Sequence, residues 1–165
     1  MKKFRLLALV PVVMLAFALA ACDSNSDDDD ADDIHDSLAG RTLVAGTCTE
    51  KVQGYDDSGS TTTYTTYEVK NIAYIVGESD DLVKVYEWLS PGSTKYYTSF
   101  YKYSISGDTI TFTSSSDKSY SATISDGNSF KIAANFIDSS YNDITDENLT
   151  FTVGTAPEKA EFTKK

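Results

Sequence analysis

The chain has 165 residues and a formal net charge of −11, because 25 acidic residues outnumber 14 basic ones. This length is enough for one folded domain. The sequence has no basic stripe of the kind that nucleic-acid-binding proteins carry, which argues against nucleic acid as a partner.

The first predicted element is a signal segment, residues 1–21. Three basic residues among the first five give it a positive start, and Leu6–Leu19 is apolar except for Pro11. This apolar stretch is short for a transmembrane helix, and the small residues Ala20 and Ala21 suit a cleavage site. Cleavage after Ala21 is therefore predicted, and an uncleaved membrane anchor is the alternative.

The residues Leu19-Ala20-Ala21-Cys22 resemble the lipobox of bacterial lipoproteins. The resemblance implies that Cys22 receives a diacylglyceryl group, becomes the first mature residue and anchors the protein to a membrane. Each buried methylene of an acyl chain contributes about 0.8 kcal/mol, so several chains hold a protein stably without a spanning helix. An acylated Cys22 leaves Cys48 without a disulfide partner, and a buried apolar role is expected for Cys48.

Residues 22–37 are predicted to be the lipidated cysteine and a disordered acidic tether. Asp23–Asp36 contains eight aspartates and almost no apolar side chain, so it cannot bury enough surface to fold, and its like charges extend it. Ser26 with Asp27–Asp30 resembles a surface-export signal of some Gram-negative lineages. Asp23 directly after the cysteine resembles an inner-membrane retention signal of enteric bacteria. The sequence favours the outer membrane, with surface exposure, over the inner membrane.

Residues 38–165 are predicted to form one β domain, because no segment of ten or more residues beyond the signal has helical periodicity. Alternating apolar and polar residues are separated by short turns, one of which contains Asp126-Gly127, a strong hairpin signal. The predicted strands are Thr42–Gln53, Thr61–Val76 (one bent strand or two joined near Lys70), Leu82–Leu89, Lys95–Ser104, Thr109–Thr113, Ser119–Ser125, Ser129–Phe136 and Asn148–Val153, with brief pairing at Ala160–Phe162.

About eight strands with short connections indicate an all-β antiparallel up-and-down meander, which can close into a barrel. A two-sheet β-sandwich is the alternative. The stretch Tyr103–Phe112, the strand around Tyr120 and the segment Asp126–Ile132 resemble lipocalin-like domains of bacterial lipoproteins. Those domains usually begin with a Gly-x-Trp motif, whereas this chain has Arg41-Thr42 after the glycine. The resemblance implies a barrel whose interior holds side chains or one small ligand.

The sequence predicts neither an enzyme nor a cofactor. His35 is the only histidine and belongs to the predicted tether, so no rigid Ser-His-Asp or Cys-His pair is available. Cysteine and histidine do not cluster as zinc requires, and no metal site is predicted.

Aromatic residues are the remaining candidates for binding, since nine of the 11 tyrosines lie between Tyr55 and Tyr103. The leading prediction is an envelope lipoprotein that binds a small apolar or amphiphilic ligand inside the barrel. The alternative is a surface module that holds a protein or glycan through exposed aromatic residues of the first four strands. The general preference of tyrosine for β-strands explains these residues equally simply. The predicted ligand-binding residues of the interior are Tyr86, Trp88, Phe100, Phe112, Tyr120 and Phe130.

Overall fold

The computed structural model describes residues 33–55, 59, 62–137 and 142–165. The predicted signal segment, Cys22 and most of the acidic tether lie outside these described residues. No helix among the described residues is both long and apolar enough to cross a membrane. The strands are β1 (Thr42–Ala45), β2 (Cys48–Tyr55), β3 (Thr62–Lys70), β4 (Ala73–Gly77), β5 (Leu82–Glu87), β6 (Tyr97–Ser106), β7 (Thr109–Ser114), β8 (Ser119–Ser125), β9 (Ser129–Ala133), β10 (Asn142–Ile144), β11 (Asn148–Val153) and β12 (Glu161–Lys164).

Eight strands form a closed barrel in the order β1-β11-β9-β8-β7-β6-β5-β4. Every neighbouring pair is antiparallel, and β1 closes the barrel by pairing with both β4 and β11. The run β4 to β9 is a continuous meander joined by turns, as the alternating sequence predicts. The prediction of an all-β protein with a closed eight-stranded antiparallel barrel is therefore confirmed.

A second sheet, in the order β10-β2-β3-β12, lies outside the barrel strands. The predicted strand Thr42–Gln53 is wrong in one respect, because the chain leaves the barrel after Ala45 and β2 belongs to the second sheet. The long β2–β3 hairpin is thus inserted between two barrel strands. Of the two alternatives for Thr61–Val76, the structure has two strands, β3 and β4, and Asn71 between them has a positive φ of 57°. The short strand β10 was not predicted.

Phenylalanine rings fill the centre of the barrel. Phe112, Phe130 and Phe151 are fully buried, and Phe136 is 3% exposed. The ring centroids of Phe112 and Phe130 lie 5.4 Å apart, and those of Phe112 and Phe136 lie 5.0 Å apart. The strand predicted to reach Phe136 ends at Ala133, because a short 3-10 turn folds Phe136 over the interior. Burial of each such ring stabilises the fold by about 1.5–3 kcal/mol.

The chain before β1 crosses one end of the barrel, and we call residues 33–39 the N-terminal strap. Ile34 and Leu38 are fully buried there. The Ile34 N–H donates to the Gly127 carbonyl at 2.6 Å, and the Leu38 N–H donates to the Tyr103 hydroxyl at 2.9 Å. The strap contacts the β4–β5, β6–β7 and β8–β9 turns, so all three mark one end of the barrel, the strap end.

The predicted disorder of residues 22–37 is wrong for residues 33–37, which belong to the strap. The apolar Ile34 interrupts the acidic run and is buried against the barrel, which provides the contact energy that the aspartates lack. His35 is also held, since its Nδ1 lies 2.7 Å from Asp33 Oδ1 and its Nε2 lies 3.3 Å from Asp108 Oδ1. The only histidine is therefore part of the folded domain.

Candidate functional site

Three of the six predicted ligand-binding residues face the barrel interior. Phe112 and Phe130 are fully buried against each other. Tyr120 is half-buried, and its ring centroid lies 5.4 Å from the ring centroid of Phe136. The Lys118 Nζ lies 4.8 Å from the ring centroid of Tyr120. These rings pack against neighbouring rings, so they are structural contacts of the core.

The prediction that Tyr86 and Phe100 line the interior is wrong. Side chains alternate along a strand, and β5 turns its two valines inward, so Tyr86 points outward. Its ring stacks on that of Tyr74 at 4.4 Å with an interplanar angle of 5°. Phe100 is 53% exposed and pairs with Lys84 of β5, whose Nζ lies 5.6 Å from the ring centroid. Both residues belong to the outer wall.

Trp88 fixes the connection between β5 and β6, residues 88–96, which we call the β5–β6 loop. The Trp88 backbone N–H donates to the Ile72 carbonyl at 2.8 Å, and the ring centroids of Trp88 and Tyr96 lie 4.9 Å apart in a T-shaped contact. The Tyr96 hydroxyl donates to the Asn71 carbonyl at 2.7 Å, and burial raises the pKa of Tyr96, so the phenol stays protonated. These contacts fix both ends of the loop.

A surface cleft of about 830 Å³ lies between the β5–β6 loop and β2 of the second sheet. We call it the distal cleft. Tyr97 is 52% exposed and Tyr55 is 69% exposed, so two aromatic faces are accessible at this site. The lining residues are Val52, Gln53, Tyr55, Leu89, Ser90, Gly92, Ser93, Thr94 and Tyr97.

A tight turn presents the serine side chains of the distal cleft. The Ser93 N–H donates to the Ser90 carbonyl at 3.0 Å, and the Ser90 N–H donates to Ser93 Oγ at 3.1 Å. The two hydroxyl oxygens lie 3.3 Å apart. The turn therefore holds the hydroxyl groups of Ser90 and Ser93 in place. Gln53 and Thr94 add further uncharged hydrogen-bonding groups to the lining.

The distal cleft is located away from the strap end of the barrel. The strand β5 leaves the β4–β5 turn at the strap end and runs to the opposite end, where the β5–β6 loop begins. The second sheet also starts there, because β1 begins beside the strap and ends at Ala45 before β2. The chain therefore enters the described domain at Asp33, at the end opposite the distal cleft.

Among the residues that the structure describes, groups for acid–base or nucleophilic chemistry do not converge on the distal cleft. The described part of its lining contains no ionisable side chain other than tyrosine. Cys48 is buried at the start of β2, and burial together with the negative charges of Glu50 and Asp146 raises the pKa of its thiol to about 12. His35 lies at the strap end. Among the described residues, no group of three or more histidine, cysteine, aspartate or glutamate side chains could hold a metal ion.

Sequence reasoning did not identify Tyr55 or Tyr97 as site residues. In the sequence, Ser90-Pro91-Gly92-Ser93 indicates only a turn. One signal was available, since aromatic residues between Tyr96 and Tyr103 occupy both faces of their strand, which implies that some pack outside the barrel interior or face solvent. The position of the β5–β6 loop opposite β2 depends on tertiary structure and leaves no local pattern in the sequence.

Comparisons with protein-family models, with curated proteins and with solved structures found no match for this chain.

Proposed function

We propose that this protein is a non-enzymatic lipoprotein of the bacterial cell envelope that binds a partner through the distal cleft. The lipid on Cys22 would anchor it, most readily in the outer membrane with the domain exposed at the surface. The acidic tether would act as a spacer between the membrane and the strap. The signal sequence, the Leu-Ala-Ala-Cys motif and the aspartate run support this part of the proposal.

The observation that carries the binding role is the distal cleft with its two accessible tyrosines. Tyr55 and Tyr97 combine a flat apolar face with a polar tip, a combination common at sites that recognise proteins and glycans. The tether joins the domain at the opposite end, so a partner can approach the distal cleft without meeting the membrane. The barrel interior is occupied by contacting phenylalanine rings, which favours an external site over an internal one.

Vesicle adhesion tests this proposal. The mature acylated protein is reconstituted in lipid vesicles, which are applied to immobilised envelope material, both polysaccharide and protein, from the producing cells. Adhesion above that of bare vesicles is expected, together with its loss in the double variant Tyr55→Ala/Tyr97→Ala. Phe100→Ala is the matched control, because Phe100 is equally exposed but lies on the outer wall. Equal adhesion of the unaltered protein, the double variant and Phe100→Ala would contradict a role for the distal cleft.

The anchor has its own test. Cys22→Ser should abolish incorporation of an acyl label and release the protein from membranes, because no other site for the lipid is predicted. Cys48→Ser is the control, since this thiol is buried within the domain and should be dispensable for acylation. Acyl labelling that persists in Cys22→Ser would contradict the lipoprotein assignment.

A small amphiphilic ligand inside the barrel is the second candidate. It is favoured by Tyr101 and Tyr120, which are only half-buried on the inner side of the barrel with their rings 6.2 Å apart. A ligand there would have to displace the packing around Phe136. Titration of the full-length protein with a fluorescent fatty acid tests this candidate. Saturable binding that weakens in Tyr120→Ala but not in Tyr97→Ala would favour it over the distal cleft.

A further inference from the structure

We infer that the ligand of the distal cleft is a short segment of an uncharged carbohydrate chain, with Tyr55 and Tyr97 as stacking surfaces. This inference rests on the proposed binding role of the distal cleft and specifies its ligand. It is carried by three properties of the site: the composition of its lining, its fixed geometry and its size.

The composition of the lining suits a sugar ring. One face of a pyranose ring carries C–H groups with slight positive charge, which complement the negative face of an aromatic ring such as Tyr97. The ring edge carries hydroxyl groups that both donate and accept hydrogen bonds. Gln53, Ser90, Ser93 and Thr94 offer hydroxyl and amide groups that do the same.

The charge of the site argues against ionic ligands. An anionic ligand requires lysine or arginine in the lining, and a cation requires carboxylates, but the described residues of the lining include neither. The acidic chain as a whole, at −11, would further repel an anionic polymer. A lipid would offer no hydrogen-bond partner to the amide group of Gln53 or the hydroxyl group of Thr94, which is unfavourable once water is displaced. A neutral polyhydroxylated ligand satisfies the lining best.

The geometry of the site is fixed before binding. The Trp88 and Tyr96 hydrogen bonds hold the β5–β6 loop at both ends, and the bonds between Ser90 and Ser93 hold its turn. A preformed site loses little conformational entropy when a ligand binds. The hydroxyl groups can therefore discriminate between sugar stereoisomers, since their positions are set independently of the ligand.

The size of the site limits the ligand to a short segment. Its volume of about 830 Å³ lies in the range of about 300–1,000 Å³ that is typical of small-molecule sites. With an open cleft, a longer chain can continue into solvent on either side. The ligand is thus expected to be a few sugar units, either free or within a longer polysaccharide.

The test uses the mature acylated protein, which begins at Cys22, in detergent micelles. It is screened against an array of neutral glycans that covers hexose, N-acetylhexosamine and deoxyhexose linkages, with sulfated and uronic-acid glycans and a library of uncharged nonapeptides alongside. The best glycan is then titrated by calorimetry and by tryptophan fluorescence. Trp88 is the only tryptophan and directly precedes the lining residue Leu89, so its emission reports on the distal cleft.

Saturable binding of a neutral glycan is expected. Tyr97→Ala and Tyr55→Ala should each weaken it about tenfold, as is common for aromatic residues central to an interface. Tyr97→Phe should stay within about threefold, because the stacking face is kept. Phe100→Ala should bind as the unaltered chain does. Circular dichroism of each variant checks that a loss of binding is not a loss of folding.

The outcomes separate this inference from the proposed function. A nonapeptide that binds with the same dependence on Tyr55 and Tyr97, without a neutral glycan, overturns the carbohydrate ligand and keeps the binding role. Preference for sulfated or uronic-acid glycans also overturns the inference. Binding of neither glycan nor peptide, or binding indifferent to both tyrosines, overturns the inference and the proposed function together.

Discussion

The hydroxyl of Tyr103 ties the backbone of Leu38 to the wall of the barrel. The Leu38 N–H donates to the phenol oxygen at 2.9 Å, and the phenol proton is directed to the Ser79 carbonyl at 3.1 Å. Tyr103 is 5% exposed, so this bond is shielded from water. A single side chain of β6 thereby joins the strap to the β4–β5 turn, at the strap end of the barrel.

Tyr103→Phe should lower the free energy of unfolding by about 1–3 kcal/mol, because the buried Leu38 N–H loses its acceptor while the ring is kept. Urea denaturation followed by circular dichroism measures this change. Tyr55→Phe is the matched control, since its hydroxyl is on a side chain 69% exposed, and it should stay within about 0.5 kcal/mol of the unaltered chain. Equal stability of the two variants would show that the hydroxyl does not hold the strap.

Gly77 allows the strap to approach β4, and Gly77→Ala should be strongly destabilising. A Cβ added at Gly77 would overlap the Leu38 carbonyl oxygen, which is a backbone atom and cannot move aside alone. We expect a loss of about 2 kcal/mol or more in unfolding free energy, as for other forced overlaps in a packed site. Gly92→Ala is the control, because nothing lies within 4 Å of a Cβ at that position.

The outcome for Gly77→Ala also reports on the strap itself. Limited proteolysis should cleave residues 33–39 of this variant faster than in Gly92→Ala, since displacement of Leu38 frees the strap before the barrel unfolds. Unchanged unfolding and unchanged proteolysis would mean that the strap is not packed against β4 in solution.

His35 should make the attachment of the strap depend on pH. Hydrogen bonding and charge from Asp33, with a further contribution from Asp108, raise the pKa of His35 above 6.5. This interaction is fully present below 6.5 and is lost as the pH rises through the raised pKa. The hydrogen bonds from His35 lower the pKa of Asp33 below 3.8, so its contribution is present above 3.8 and is lost as the pH falls through the lowered value. Both contributions are fully present between pH 3.8 and pH 6.5, so the strap is held best in this range.

NMR titration measures the pKa of His35 directly, because it is the only histidine. Asp108→Asn should lower that pKa toward 6.5, since it removes a negative charge 3.3 Å from Nε2. Asp117→Asn is the control, because Asp117 lies in the β7–β8 turn at the opposite end of the barrel from His35, and this variant should leave the pKa of His35 unchanged. A His35 pKa at or below 6.5 in the unaltered chain would contradict the contact with the aspartates.

The barrel was predictable because most of its strands bury one face only. Ile110 and Phe112 alternate with threonines, and Phe130 and Ile132 alternate with polar residues, so period two is visible in the sequence. The predicted bounds of β7, β8 and β11 agree with the structure to within a residue. The segment Thr42–Gln53 has no such contrast, and the sequence therefore does not show that its second half joins another sheet.

The distal cleft was less predictable because it joins distant parts of the chain. Val52 and Gln53 of β2 line the same cleft as Ser90 and Ser93, and this proximity leaves no common pattern in the sequence. The direction of Tyr86 was misjudged for a related reason. Its strand has half-buried side chains on its outer face, where Tyr74 covers Tyr86, so hydrophobicity alone does not distinguish inside from outside.

Cys48 should be unreactive in the folded protein. Alkylation requires a thiolate, and a pKa of about 12 keeps the buried thiol protonated at pH 8. We expect iodoacetamide to leave native, acylated protein unmodified over a period in which urea-unfolded protein is fully alkylated. Mass spectrometry should then find one alkylated site in urea, because the sulfur of an acylated Cys22 is blocked. Thr123→Cys is the positive control, since position 123 is exposed on β8 and should react in the native state. Rapid native alkylation of Cys48 would contradict its burial, and two alkylated sites in urea would contradict the lipid on Cys22.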